Sequence, residues 1–125
     1  MTRVSDRFLQ LGVLAALTGL GMGVGMGVTE NLQLQVVHAH INLLGWVSMM
    51  LYGLFYRAVP KAAEGRLPVI HLWLNGLGFV AMMVLLTFNK LGVDSVNPAL
   101  GIVSIAVWLS MALFAVIVFR ATWRA

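Results

Sequence analysis

The chain has 125 residues, of which 61% are hydrophobic and 10% charged, with a net charge of +4. Soluble domains carry about 25% charged residues, so the composition excludes a water-soluble core and indicates an integral membrane protein. The absence of cysteine excludes disulfides, thiolate metal sites and haem attached through a C-x-x-C-H motif. The basic residues lie between apolar runs, where they report membrane orientation and not nucleic-acid binding.

In chain order, residues 1–7 form a short polar end with Arg3 and Arg7. The first apolar run spans 8–28; it is too long for a signal-peptide core, lacks a clear small-residue cleavage site, and reads as retained. A loop without Lys or Arg follows at 29–36. The second run spans 37–58, about one bilayer crossing. A proline-bounded loop at 59–68 carries Lys61, Glu64 and Arg66. The third run spans 69–89, a short loop covers 90–97, and the fourth run spans 98–119, with Pro98 in a helix first turn where proline is tolerated. Arg120 and Arg124 close the chain. The prediction is all-α: a single transmembrane domain, 1–125, built as a four-helix bundle.

Arg3, Arg7, Arg57, Lys61, Arg66, Arg120 and Arg124 fall on one side of this topology, and only Lys90 on the other. The positive-inside rule then places both termini in the cytoplasm. His38 and His40 open the second crossing at the outer face, and His71 opens the third near the cytoplasm. Ionisable side chains inside a crossing are costly, so these three are the functional candidates.

At about 100° per residue, His38, Asn42, Gly45, Met49, Tyr52 and Tyr56 share one helix face, and His40, Leu44, Val47, Leu51 and Leu54 nearly the opposite one. His38 is expected to look into the bundle. His40 is expected to look toward lipid, a neighbouring subunit or a second ligand. On the first crossing, Gly19, Gly23 and Gly27 stack at a spacing that lets helices approach closely, or that offers a smooth wall to a flat ligand. Met22 and Met26 sit beside them at the depth of His38, as packing residues or metal ligands. Tyr52, Tyr56 and Arg57 near the inner end are expected to be snorkelling interfacial anchors, or to meet a quinone or a haem propionate.

The third crossing repeats the second. Aligning 37–51 with 70–84 pairs His38 with His71, Asn42 with Asn75, Gly45 with Gly78, Met49 with Met82 and Met50 with Met83. The two helices run in opposite senses, so the expectation is an inverted repeat about an axis in the membrane plane. His38 and His71 should then lie roughly 25–30 Å apart, about the hydrocarbon thickness. One metal cannot join them, and a second axial ligand has to come from Met22, Met26 or another subunit, or be absent.

The second crossing resembles the second transmembrane helix of haem–copper oxidase and nitric oxide reductase catalytic subunits. The resemblance rests on His38-Ala39-His40, Gly45, Met49-Met50 and the run Tyr56-Arg57-Ala58-Val59-Pro60. The whole chain is similar to short bacterial membrane proteins of the cytochrome c oxidase subunit I-like type. This implies a bacterial inner-membrane, haem b-binding protein in respiratory electron transfer or O2/NO binding. Its cofactor-binding candidates are His38, His40, His71, Asn42, Gly45, Met22 and Met26, with the three histidines as metal ligands and no catalytic residue. The chain departs from the large family in lacking a run of adjacent histidines for a copper site and a Tyr–His crosslink pattern. Enzymatic activity would therefore be that of an oxidoreductase within a larger or oligomeric complex. The alternative is a copper-binding or assembly protein for a respiratory oxidase, since imidazole and thioether ligands suit copper. The expected partners are the lipid bilayer, further copies of the chain as a homodimer or larger, and respiratory-chain proteins or a quinone.

Overall fold

The four apolar runs fold as four helical stretches in the computed structural model, which describes residues 3–123. Arg124, counted above among the inner basic residues, lies outside the described residues. Among these there is no strand. Helix α1 (Arg3–Thr29) begins ahead of its apolar run, so the polar start at 3–7 is helical. Asp6 lies in its first turn, where a carboxylate complements the helix dipole, and pairs with Arg57. Ser5 Oγ donates to the Gly53 carbonyl at 2.9 Å. These two contacts fasten the start of the first crossing to the end of the second. The helix stops at Glu30, which takes φ 55 in the left-handed position where glycine is the usual residue.

The second crossing is α2 (Gln35–His40), a π-helical segment Ile41–Val47 and α3 (Ser48–Ala58), following one another without a break. Two polar side chains bracket the widened turns. Asn42 Nδ2 donates to the His38 carbonyl at 3.0 Å, and Ser48 Oγ to the Leu43 carbonyl at 2.7 Å. Both draw on acceptors that a regular helix reserves for its own amides, and such competition loosens the α ladder. The wider turn brings residues four apart closer to eclipsed, and Ile41, Gly45 and Met49 are all buried. Tyr52 and Tyr56 continue the buried line on α3. On the opposite face Leu43, Val47, Leu51 and Leu54 are exposed, whereas Leu44, predicted outside, packs on the core. A uniform 100° wheel misses that shift.

Helix α4 (Leu67–Lys90) and helix α5 (Asn97–Thr122) complete the bundle, each with a proline in its first turn. By length and composition, Val4–Thr29, Leu67–Lys90 and Asp94–Thr122 can each cross a membrane. The π segment divides the second crossing into helices individually too short for that. The molecule is thus an all-α bundle with the character of a membrane protein. Helix α1 packs chiefly on the second crossing and α4 on α5. Apolar contact gains little over lipid, so close packing and internal hydrogen bonds carry such a bundle.

The two aligned faces keep corresponding neighbours for part of their length. Gly45 sits against Ala15 of α1, and Gly78 against Val107 of α5. Asn42 lies at Gly19 of α1, and Asn75 donates to Ser110 Oγ of α5 at 3.0 Å. An in-plane two-fold that exchanges the second and third crossings would also exchange α1 with α5, in line with these contacts. The correspondence ends at the histidines.

Candidate functional site

At the outer end, His38 is wedged between its own helix and α1. Its Nδ1 lies 2.6 Å from the Gly19 carbonyl oxygen. A carbonyl can only accept, so Nδ1 carries the proton and Nε2 the lone pair. The ring occupies the place of a missing side chain: a Cβ on Gly23 would stand 2.9 Å from His38 Cε1. A Cβ on Gly19 would stand 2.8 Å from Asn42 Oδ1. The glycine ridge therefore seats the His38–Asn42 pair, while Gly27, in the same row, has open space beside it. Asn42 Nδ2 is spent on the His38 carbonyl, which fixes the amide one turn below the ring.

His40 is half-buried and returns its Nδ1–H to the Val36 carbonyl at 2.7 Å, so its own helix supplies the partner. Its tautomer matches that of His38, with the lone pair on Nε2. Gly45, one of the cofactor-binding candidates, has no open space beside it: a Cβ there would be 2.6 Å from both Ala15 Cβ and Phe79 Cζ. Met22 and Met26 do come together. They line an outer hollow of about 430 Å³ with Gly25, Thr29, Asn31 and Gln33, and His38 is not part of its wall.

The inner end is built differently. His71 is fully buried. Phe8, Tyr52 and Phe114 surround it with ring centroids 4.9, 4.6 and 5.1 Å away. Its Nδ1 is 2.8 Å from the Tyr56 hydroxyl. With the phenol as donor, His71 carries its proton on Nε2, and that atom is buried with no hydrogen-bond partner among the described residues. One turn along α4, Asn75 is also buried, and its Oδ1 likewise lacks a partner. Tyr52 and Tyr56 are not interfacial anchors, because both are buried around this imidazole. Arg57 does reach the surface, in its pair with Asp6.

The two histidine sites are separate. Gly19 and Gly23, which hold His38, lie about 16–22 Å beyond Phe8 along α1 at 1.5 Å per residue. Among the described residues, no three of His, Asp or Glu converge as a metal cluster. Sequence reasoning did not single out Ser5, Phe8, Ser110 or Phe114. The i, i+4 spacing of Tyr52 and Tyr56, in line with the small-and-polar face, was the available signal for the aromatic box. Nothing in the sequence marks Phe8 or Phe114 among so many apolar neighbours.

Family models, curated proteins and solved structures all give no match to this chain.

Proposed function

We propose that the protein binds haem b in the membrane, with His38 as an axial ligand at the outer end of the bundle. One observation carries this reading. His38 holds its Nδ1–H on the Gly19 carbonyl, which fixes the tautomer and ring orientation and leaves Nε2 as a donor. Metal-ligating imidazoles are commonly fixed in this way. Asn42 and Gly23 support the ring from either side. Bound haem would supply a one-electron couple or a gas-binding iron. His71 does not fit the role, since no space remains beside its enclosed Nε2.

His40 carries the same tautomer but stands nearly half a turn away from His38 on the same helix, where it cannot share one iron, so the second axial position falls to another copy of the chain, in a homodimer or larger assembly. The setting we infer is a bacterial inner membrane with both termini cytoplasmic. Arg7, Arg57, Lys61, Arg66 and Arg120 gather at one end of the bundle and Lys90 at the other, in keeping with that orientation. The role is respiratory electron transfer or O2/NO binding, beside respiratory-chain proteins or a quinone. Copper is the second reading, and the paired thioethers of Met22 and Met26 in the outer hollow favour it.

The test is the visible spectrum and haem per chain of the purified protein and of His38→Ala, His40→Ala and His71→Ala. A Soret band that disappears in His38→Ala alone supports the reading. Full haem in His38→Ala overturns the ligand. A colourless protein with stoichiometric copper, lost in Met22→Leu/Met26→Leu, replaces haem by copper.

A further inference from the structure

The basic end of the bundle carries a feature unrelated to the histidines. A hollow of about 440 Å³ opens there between the 3-10 turn Pro60–Ala63, the start of α4 and the end of α5. Lys61 from the turn, Arg66 immediately before α4 and Arg120 near the end of α5 line it, above an apolar floor of Leu67, Pro68 and Ile117. None of the three cations makes an ion pair among the described residues. Glu64 also lines the hollow and is its one carboxylate among the described residues. Asp6, the other acidic side chain at this end, is taken up by Arg57. Cations that served only to orient the chain would be scattered over loops. Here three converge on one concavity, and the surplus over Glu64 is two positive charges.

We propose that this hollow is a binding site for the phosphodiester headgroup of an anionic phospholipid. Its depth suits that ligand, because it lies where the apolar parts of α4 and α5 end. The guanidinium groups of Arg66 and Arg120 match phosphate oxygens as planar forks, and Lys61 adds a point charge. The floor of Leu67, Pro68 and Ile117 meets the upper part of the acyl chains. Basic pockets between helices at a membrane surface recognise headgroups in this manner.

The experiment counts lipid bound to the purified full-length chain by native mass spectrometry. It compares phosphatidylglycerol, phosphatidylcholine and inorganic phosphate. The chain should retain phosphatidylglycerol in preference to phosphatidylcholine. Lys61→Gln, Arg66→Gln and Arg120→Gln should each weaken retention roughly fivefold, the effect of one basic residue near a charged bilayer. The triple variant should lose the preference. Arg7→Gln removes a cation at the same end that bonds Gln10 outside the hollow, and should change nothing. Glu64→Gln should strengthen retention, so the proposal stays open to test if the triple variant does not fold. Equal retention of phosphatidylcholine overturns it, as does an Arg7→Gln effect as large as that of the hollow variants. Displacement of the lipid by an equal concentration of inorganic phosphate would make the site one for a soluble anion and overturn the lipid assignment.

Discussion

His38 and His71 occupy matched positions in two similar stretches, yet their surroundings are opposite. His38 lies half-buried against a helix that offers it glycine, a backbone carbonyl and open space beyond. His71 lies fully buried against helices that offer it Phe8, Tyr52, Tyr56 and Phe114. The outer imidazole spends its Nδ1–H on a carbonyl and keeps its Nε2 lone pair; the inner one is spent on a phenol and sealed in. What a histidine on a helix can do is decided by the neighbouring helix as much as by its own.

The largest effect expected from this contrast is on stability. Phe8 contacts Tyr52, Tyr56 and His71 at centroid distances of 5.2, 5.9 and 4.9 Å. Phe8→Ala should empty the middle of the aromatic box and destabilise the bundle by about 3–5 kcal/mol. Met26→Ala, at the open outer hollow, should cost under about 0.5 kcal/mol, because nothing closes around it. Denaturant unfolding in detergent measures both. Equal losses would mean that the two ends are packed alike, and the contrast would fail.

A second, smaller effect sharpens the outer half of the comparison. Gly23→Ala places a Cβ 2.9 Å from His38 Cε1. Overpacking of this kind costs about 1–3 kcal/mol, and the ring would have to leave the Gly19 carbonyl, so haem per chain should fall with it. Gly21→Ala, facing open space two residues earlier, should not destabilise the bundle, since a helical alanine is favoured over glycine by up to about 1 kcal/mol, and should leave haem content unaltered. If the two alanines behave alike, the ridge does not seat the imidazole.

Much of the fold was legible because membrane crossings are long and uniform. The four runs at 8–28, 37–58, 69–89 and 98–119 correspond to α1, the second crossing, α4 and α5, with ends moved by a few residues. The inward face through Gly45, Met49, Tyr52 and Tyr56 was legible for the same reason. The π segment was not, since it depends on where Asn42 and Ser48 send their hydrogen bonds, and a wheel assumes none of that. Of the candidate site, the sequence marked the ionisable residues and left their partners unnamed. Gly23 was legible as a small residue but not as the seat of His38. Tyr56 reads as an anchor next to Arg57 until Phe8 and His71 close over it. Those are contacts between helices far apart in the chain, which residue spacing on one helix does not encode.

The smallest expected change is the most discriminating, and it concerns the inner pair. Tyr56→Phe leaves His71 Nδ1 buried without the hydroxyl 2.8 Å away. His71→Phe leaves that hydroxyl buried without its acceptor. Each single change strands one polar group and should cost about 1–3 kcal/mol. The double variant Tyr56→Phe/His71→Phe strands neither, and it also removes Nε2, which has no partner in the native bundle. Phenyl rings keep the shape of the box, so the double variant should unfold within about 1 kcal/mol of the native protein, since replacing both partners of a buried hydrogen bond by apolar groups is close to neutral. Unfolding of all four proteins in one detergent closes the cycle. Additive losses would show that the two side chains are not coupled, and the inner histidine would have to be held by something other than Tyr56. Recovery in the double variant would show that the bundle does not need this imidazole for its packing, and that the cost of either single change is the cost of one stranded polar group.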